Sequence, residues 1–396
     1  MNKTEKIIDS FTKYVIPCYT RNPLVIVRGK GSRVWDSSGK EYLDFFPGWG
    51  VGSMGHCHPK IVKAVKKQVG KLIHIPNNYY NELQAELARL LVKYSFPGKC
   101  FFCNSGAEAN ESAIKLARKH GNQSGRYEII TCDNSFHGRT LATVTATGQE
   151  KYRQGFQPLV PGFKYVPFGD ITALRQTVTS QTAAVLIEPI QGEGGIQTAL
   201  REYFHQLRIL CNEQKILLIF DEVQTGFGRT GKMFCYQHFD IKPDIITLAK
   251  ALGGGLPIGA IIAASHISDV LTPGSHASTF GGSPLVCSAA ISVIETIINN
   301  SLLVRAQKLG DFLQRRLLDL EEKFPRLIKE VRGIGLMWGL ELYRPCAAVV
   351  EECMQKGLLL NCTHKKVIRI MPALTVTRSQ IKQGLKILAG VLGKSA

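Results

Sequence analysis

The sequence predicts an α/β protein: a large domain on a mostly parallel, doubly wound sheet, with a smaller α+β domain beside it. Three observations predict this. Between about residues 99 and 280, short β-rich runs alternate with helical segments, the pattern of a doubly wound sheet. Beyond residue 285 the texture changes to long amphipathic helices and a strand pair. The 396 residues, 44% hydrophobic and 20% charged, suffice for one large domain plus a smaller one.

In chain order, residues 1 to about 20 read as a helical start ending near Pro17. Apolar alternation across 24–31 and 33–45, around the turn at Ser38-Gly39, signals a β-hairpin. Residues 46–59 are glycine-rich and too long for a simple turn, the kind of loop that carries function. Helical periodicity runs over 61–72 and again over 82–94. The β-rich runs are Lys99–Cys103, Glu128–Thr131, Ala183–Glu188, Ile216–Phe220, Ile245–Leu248 and Gly259–Ala263. Helices follow at 285–299 and 302–324, then strands at 335–342 and 367–370 and a helix near the end. The expected division is a large domain over 61–285 and a small one built from both termini, 1–60 and 286–396.

No run of eighteen apolar residues occurs, so no transmembrane helix is expected, and Met1 to Phe11 mix charges without the apolar centre of a secretory signal. Of the eleven cysteines, Cys100 and Cys103 form a C-x-x-C. They lie three apart in a strand and so face opposite ways. No second pair follows, and no metal site is expected there or at His56-Cys57-His58. Scattered thiols fit a reducing cytoplasm. The net charge of +18 favours anionic partners such as phosphate cofactors and dicarboxylates. The basic residues are dispersed, without a block, a zinc-finger spacing or an aromatic RNA-binding signature, so no nucleic acid is expected.

The apolar run Ile245–Leu248 leads through Ala249 to Lys250, and then to Gly253-Gly254-Gly255. Lys250 therefore sits where a strand gives way to a loop, the place where open α/β sheets bind ligands. It is either a Schiff-base nucleophile or a surface lysine at a strand end. Asn104-Ser105-Gly106-Ala107 follows another strand and opens a helix. It reads as an anion site on free N–H groups or as an ordinary N-cap. Phe136-His137-Gly138-Arg139 offers a ring to stack, an imidazole and a guanidinium to fork onto a carboxylate, or simply a capped loop. Glu193 lies in a glycine loop after a strand, as a site acid or an incidental one. Asp221 ends a fully apolar run, where an unpaired carboxylate is costly. Its partner is a protonated ring nitrogen, a salt bridge or a helix cap. Ser278-Thr279 forms a further small-residue turn before a helix. Arg369, alone in an apolar strand, wants a carboxylate, from substrate or from the protein.

Together these residues resemble the class III (ω-amino) pyridoxal-phosphate-dependent aminotransferases, from about Tyr14 to residue 390 and most specifically over Phe220 to Gly259. The resemblance implies a fold-type I transferase. Lys250 would hold pyridoxal 5'-phosphate and shuttle the proton. Asp221 would pair with the pyridinium, Gln224 would touch the phenolic oxygen, and Ser105, Gly106 and Ala107 would cradle the phosphate. Phe136, with His137 beside it, would stack on the ring. Thr279 would reach the phosphate of a partner subunit, which implies a homodimer with shared sites. Arg139 would bind the α-carboxylate of the donor, at the far end from its reacting ω-amine, and Arg369 the α-carboxylate of glutamate or 2-oxoglutarate. Glu193 would neutralise Arg369 when the ω-amine is present, and Trp49 and Ser278 would border the substrate. Trp49 departs from the smaller aliphatic residue or tyrosine of relatives, narrowing the pocket or stacking over an acetamide. The reaction implied is transfer of the ω-amino group of N-acetylornithine to 2-oxoglutarate in arginine biosynthesis. Ornithine, succinylornithine and 4-aminobutyrate are the alternative donors, and a non-transaminating enzyme such as an aminomutase is the alternative chemistry.

Overall fold

The computed structural model describes residues 3–395. In chain order it begins with helix α1 (Lys3–Tyr14), strands β1 (Ile26–Lys30), β2 (Arg33–Asp36) and β3 (Glu41–Asp44), and helices α2 (Pro59–Val69) and α3 (Glu82–Tyr94). The sheet region comprises β4 (Gly98–Cys103), α4 (Gly106–Gly121), β5 (Glu128–Cys132), α5 (Leu141–Ala146), α6 (Glu150–Arg153), β6 (Phe163–Val166), α7 (Ile171–Thr177), β7 (Thr182–Ile187), α8 (Arg201–Gln214), β8 (Leu217–Asp221), β9 (Ile245–Leu248) and β10 (Gly259–Ala264). Then come α9 (Pro284–Asn299), α10 (Leu302–Lys323), β11 (Ile328–Ile334), β12 (Met337–Leu342), α11 (Ala347–Gln355), β13 (Leu358–Leu359), β14 (Asn361–Thr363), β15 (Val367–Ile370) and α12 (Arg378–Ser395).

The central sheet has seven strands in the order β4-β10-β9-β8-β7-β5-β6. Strand β10 is antiparallel to both neighbours, and every other adjacent pair is parallel. Strands β5, β7, β8 and β9 are buried along their whole length, which is why they read as continuous apolar runs. Alternate residues serve opposite faces. Leu218 and Phe220 join the core shared with α8 and α9, while Leu217 and Ile219 join the one shared with α4. Truncating such a side chain to alanine costs about 2–5 kcal/mol, so the platform beneath the strand ends is stiff.

Two four-stranded sheets flank this layer, β1-β2-β3-β13 and β11-β12-β15-β14. In the first, β13 from the C-terminal part pairs in parallel with Leu43 and Asp44 of β3. No single helix among the described residues is long and apolar enough to cross a membrane.

The expected strands of the large sheet lie within one residue of their observed ends. Strands β6, β11, β13 and β14 went unread. In β11, Lys329, Glu330 and Arg332 break up the apolar signal. The first helix stops at Tyr14, short of Pro17, and the strand expected from Gly335 begins at Met337, because Gly335 takes φ +60° in the preceding turn. Met1, Asn2 and Ala396, which the expected division into domains includes, lie outside the described residues. The expectation of scattered thiols needs one correction. Cys346 and Cys362 form a disulfide across 6.0 Å between Cα atoms. The start of α11 folds against β14, a proximity that a separation of sixteen residues does not reveal. Cys100 and Cys103 face different cores, as alternation requires.

Candidate active site

Five loops leave the C-terminal ends of β4, β5, β7, β8 and β9 and enclose a cavity of about 460 Å³. A twisted parallel sheet gathers its ligand groups at this edge.

Helix α4 opens there. Ser105 Oγ accepts the Glu108 N–H at 3.2 Å, and a Glu108 carboxylate oxygen takes the Asn104 N–H at 2.6 Å. This reciprocal capping fixes the helix start. The N-cap reading of Ser105 holds, and with Gly106 and Ala107 it also lines the cavity. The first N–H groups of a helix lack partners within it and favour an anion. Space behind the turn is tight: a Cβ on Gly106 would lie 2.8 Å from Val223 Cγ1, and one on Gly259 2.3 Å from the Ser105 carbonyl oxygen.

Asp221, 4% exposed, is held at both oxygens. Oδ1 accepts the Val223 N–H at 3.0 Å. Oδ2 accepts from Asn110 Nδ2 and His137 Nδ1, each at 2.8 Å. The other ring nitrogen of His137 meets Thr131 Oγ1 at 3.1 Å. The strand carries Asp221 into the cavity, and Asn110 and His137 aim it.

Lys250 opens a tight turn that ends at Gly253, with φ +45°. A non-glycine residue in that region carries about 1–3 kcal/mol of strain, which the packed ends of β9 and β10 sustain. Burial holds the Lys250 amine below the ordinary lysine value, against Glu193 and Asp221, whose charges raise it. A lowered value favours the neutral amine that proton transfer needs.

Glu193 and Arg369 form a buried ion pair, Oε1 to Nη1 at 2.6 Å. Burial raises the Glu193 carboxyl, but Arg369, with Lys250 and Gln224 adding to it, outweighs this and holds it below the usual range. Gln224 Oε1 takes a second, longer bond from Nη1 at 3.3 Å. The Glu193 loop is pinned elsewhere: Thr363 Oγ1 donates to the Glu193 carbonyl at 2.8 Å, and Arg332 forks onto the Gly195 carbonyl at 3.0 and 2.7 Å. Arg139 is different. It is exposed, stacks 4.0 Å from the Tyr152 ring centroid and 5.5 Å from that of Phe136, and has no carboxylate partner among the described residues.

Ser105, Gly106, Ala107, Phe136, His137, Arg139, Glu193, Asp221, Gln224 and Lys250 thus share one cavity wall, with Arg369 directly behind Glu193. Trp49, Ser278 and Thr279 lie outside the wall that this chain forms. Trp49 is 50% exposed and packs edge-on against Phe46 at 5.8 Å. Ser278 Oγ accepts from Asn104 Nδ2 at 3.3 Å, and Thr279 is exposed.

The sequence reading missed Asn110 and the placement of Glu188. Glu188 Oε2 accepts the Phe136 N–H at 3.0 Å, and Oε1 accepts the Gly192 N–H at 3.2 Å, joining two site loops. Burial pushes its carboxyl up to about 7. Its signal was present: like Asp221, it is an acid at the end of a wholly apolar strand.

Comparison with known proteins agrees with this geometry. The family profile described as aminotransferase class-III matches residues 15–392. An acetylornithine aminotransferase of Caldanaerobacter subterraneus subsp. tengcongensis is 51% identical over 386 residues, covering 96% of this chain and 98% of its own. The crystal structure of acetylornithine aminotransferase from Elizabethkingia anophelis superposes with a TM-score of 0.89 at 34% identity, over 100% of both chains. An ornithine aminotransferase from Toxoplasma gondii, described with partial occupancy of PLP at its active site, gives a TM-score of 0.94 at 33% identity, over 98% of this chain and 94% of that one.

Proposed function

The chain belongs to the class III aminotransferases, and from that premise we propose how its own residues divide the work of transferring an ω-amino group from N-acetylornithine to 2-oxoglutarate. The products are N-acetylglutamate semialdehyde and glutamate, a step of arginine biosynthesis. The fold is that of fold-type I transferases, and the cofactor is pyridoxal 5'-phosphate.

The residues present fit that group. An amine of lowered basicity, a carboxylate fixed by three donors and the N-terminus of a sixteen-residue helix all meet at one cavity, which has room for a planar ring. When bound, pyridoxal phosphate supplies an aldehyde for amine exchange and a ring that accepts electrons. Lys250 Nζ would hold the aldehyde carbon and, once displaced by the donor amine, move the proton between donor carbon and cofactor. The Asp221 carboxylate would hold the ring-nitrogen proton in place. Gly106 and Ala107 would give their N–H groups to the phosphate, with the Ser105 hydroxyl beside them. Phe136 would cover one face of the ring, and Gln224 would reach its phenolic oxygen.

The observation that carries the substrate reading is the unlike state of two arginines around one lysine. Arg139, exposed and without an acid, suits a carboxylate that is present throughout the donor half-reaction. Arg369, buried and neutralised by Glu193, suits a carboxylate present in only one half-reaction. A movable ion pair hides a charge that would be expensive to bury alone. It lets one cavity take an amine with no carboxylate beside it, and then a second amine that has one.

The same reading proposes a homodimer in which Thr279 serves the partner's site, supported by its exposure outside its own cavity. It also proposes a cofactor-binding unit over 61–285 with a smaller unit from both termini, supported by the β3–β13 pairing. A cytoplasmic location is proposed too, supported by the nine cysteines that stay free. The test of the chemistry is Lys250→Ala. Turnover should fall by at least about a thousandfold, while exogenous pyridoxal phosphate still binds. Retained turnover would remove Lys250 from its role.

A further inference from the structure

Arg369 is satisfied in two ways. Its Nη1 carries the charged partner, Glu193, with Gln224 beyond. Its Nε and Nη2, at 3.1 and 2.8 Å, converge on a single neutral oxygen, Oδ1 of Asn361. The Phe46 ring lies 4.4 Å from the guanidinium carbon. Asn361 is the cross-strand partner of Arg369 in the β14–β15 register, on the edge strand of its sheet. The same short strand supplies Thr363, which holds the Glu193 carbonyl. One strand therefore fixes the guanidinium on one side and the backbone of its counter-ion on the other.

A guanidinium offers two flat forks, one at its end and one along its side. Asn361 closes the side fork, so an arriving carboxylate can bind only at the end, where Glu193 sits. The chemistry of the blocking group matters. An amide oxygen satisfies two N–H groups of a buried cation without cancelling its charge. A carboxylate in the same place would neutralise Arg369 permanently, and the charge would no longer be available when Glu193 swings away. We propose that Asn361 is a positioning residue that aims Arg369 and, because it is neutral, reserves the arginine's charge for the substrate dicarboxylate. This rests on the reading of Arg369 as the carboxylate site for glutamate and 2-oxoglutarate.

The test uses the intact enzyme with its cofactor and separates the half-reactions. Asn361→Asp is nearly isosteric, and Asn361→Ala removes the acceptor; thermal melting confirms that each folds. Two readouts are taken: calorimetric binding of glutarate, a non-reacting dicarboxylate, and the concentration dependence of each half-reaction in single turnovers followed by absorbance. Asn361→Asp should weaken glutarate and raise the half-saturation for 2-oxoglutarate by at least about tenfold, with the N-acetylornithine half-reaction changed by less than about threefold. Asn361→Ala should shift the same half in the same direction by a smaller factor. Arg369→Ala is the reference. If it weakens glutarate while Asn361→Asp does not, the inference fails and the reading of Arg369 stands. If Arg369→Ala itself leaves glutarate unchanged, both fail. If Asn361→Asp slows the two halves equally, Asn361 is merely structural and the inference is overturned.

Discussion

Arg369 Nη1 lies 2.6 Å from Glu193 Oε1, with the arginine side chain wholly buried and the glutamate 17% exposed. On the proposed reading the member that moves is the acid at the cavity wall, while the cation is held behind it by Asn361. Removing the acid's charge should therefore favour whichever substrate must displace it. In Glu193→Gln, the KM for 2-oxoglutarate should fall severalfold, and glutamate should compete more strongly with the ω-amine donor. Steady-state kinetics with glutamate as inhibitor check this. Unchanged constants would mean that the pair is only structural.

Tyr152 is the platform under Arg139. A stacked guanidinium gains about 0.5–1 kcal/mol at an exposed ring, while a charged hydrogen bond to carboxylate contributes about 1.5–3 kcal/mol. Tyr152→Leu should then raise the donor KM by about threefold with kcat kept, and Arg139→Ala by tenfold or more on the same scale. Neither change should move the KM for 2-oxoglutarate if Arg139 serves the donor alone.

Glu188 gives a pH signature. Its folded value, about 7, lies above its ordinary 4.5, so the folded state binds the proton more tightly than the unfolded chain does. The stability it contributes is full below pH 4.5 and is lost as pH rises to about 7. Glu188→Gln, neutral in both states, should lack that loss. The difference in unfolding free energy between wild type and variant should thus shift by up to about 3 kcal/mol across the interval. Denaturant titrations at pH 5 and pH 8 measure it, and a pH-independent difference would contradict the account.

Gly259 supports the turn that opens α4 from below. A Cβ there would meet the Ser105 carbonyl oxygen at 2.3 Å and Cys103 Sγ at 2.8 Å, so Gly259→Ala must push the head of α4 outward. Cofactor affinity should drop by about tenfold or more, with about 1–3 kcal/mol of stability lost. At Gly390, within α12, a Cβ would meet nothing within 4 Å. Gly390→Ala should leave cofactor binding alone and gain about 0.5–1 kcal/mol. Equal effects at the two positions would show that the turn is not sterically set.

Much of this site was legible because buried parallel strands write themselves as apolar runs, and a polar residue at the end of such a run stands out. Lys250, Asp221 and Ser105 were visible in that way, and Glu193 stood out in a glycine loop after such a run. Strands β11 and β14 were not, since they carry charged or polar residues on half-covered faces. The residues that aim the chemistry were also hidden, because their partners are distant in sequence. Asn110 bonds Asp221 across 111 residues, and Glu188 bonds Phe136 across 52. Asn361 lies only eight residues from Arg369, yet the contact depends on an antiparallel register that composition does not announce. Trp49, Ser278 and Thr279 were read as site residues but stand outside their own chain's cavity wall.

The most direct measurement is the visible spectrum of the purified, cofactor-loaded protein, titrated in turn with N-acetylornithine, ornithine and 4-aminobutyrate and then with 2-oxoglutarate. The cofactor band should be lost at the lowest concentration of N-acetylornithine and restored by 2-oxoglutarate. A band untouched by any ω-amine, or not restored by 2-oxoglutarate, would contradict the account.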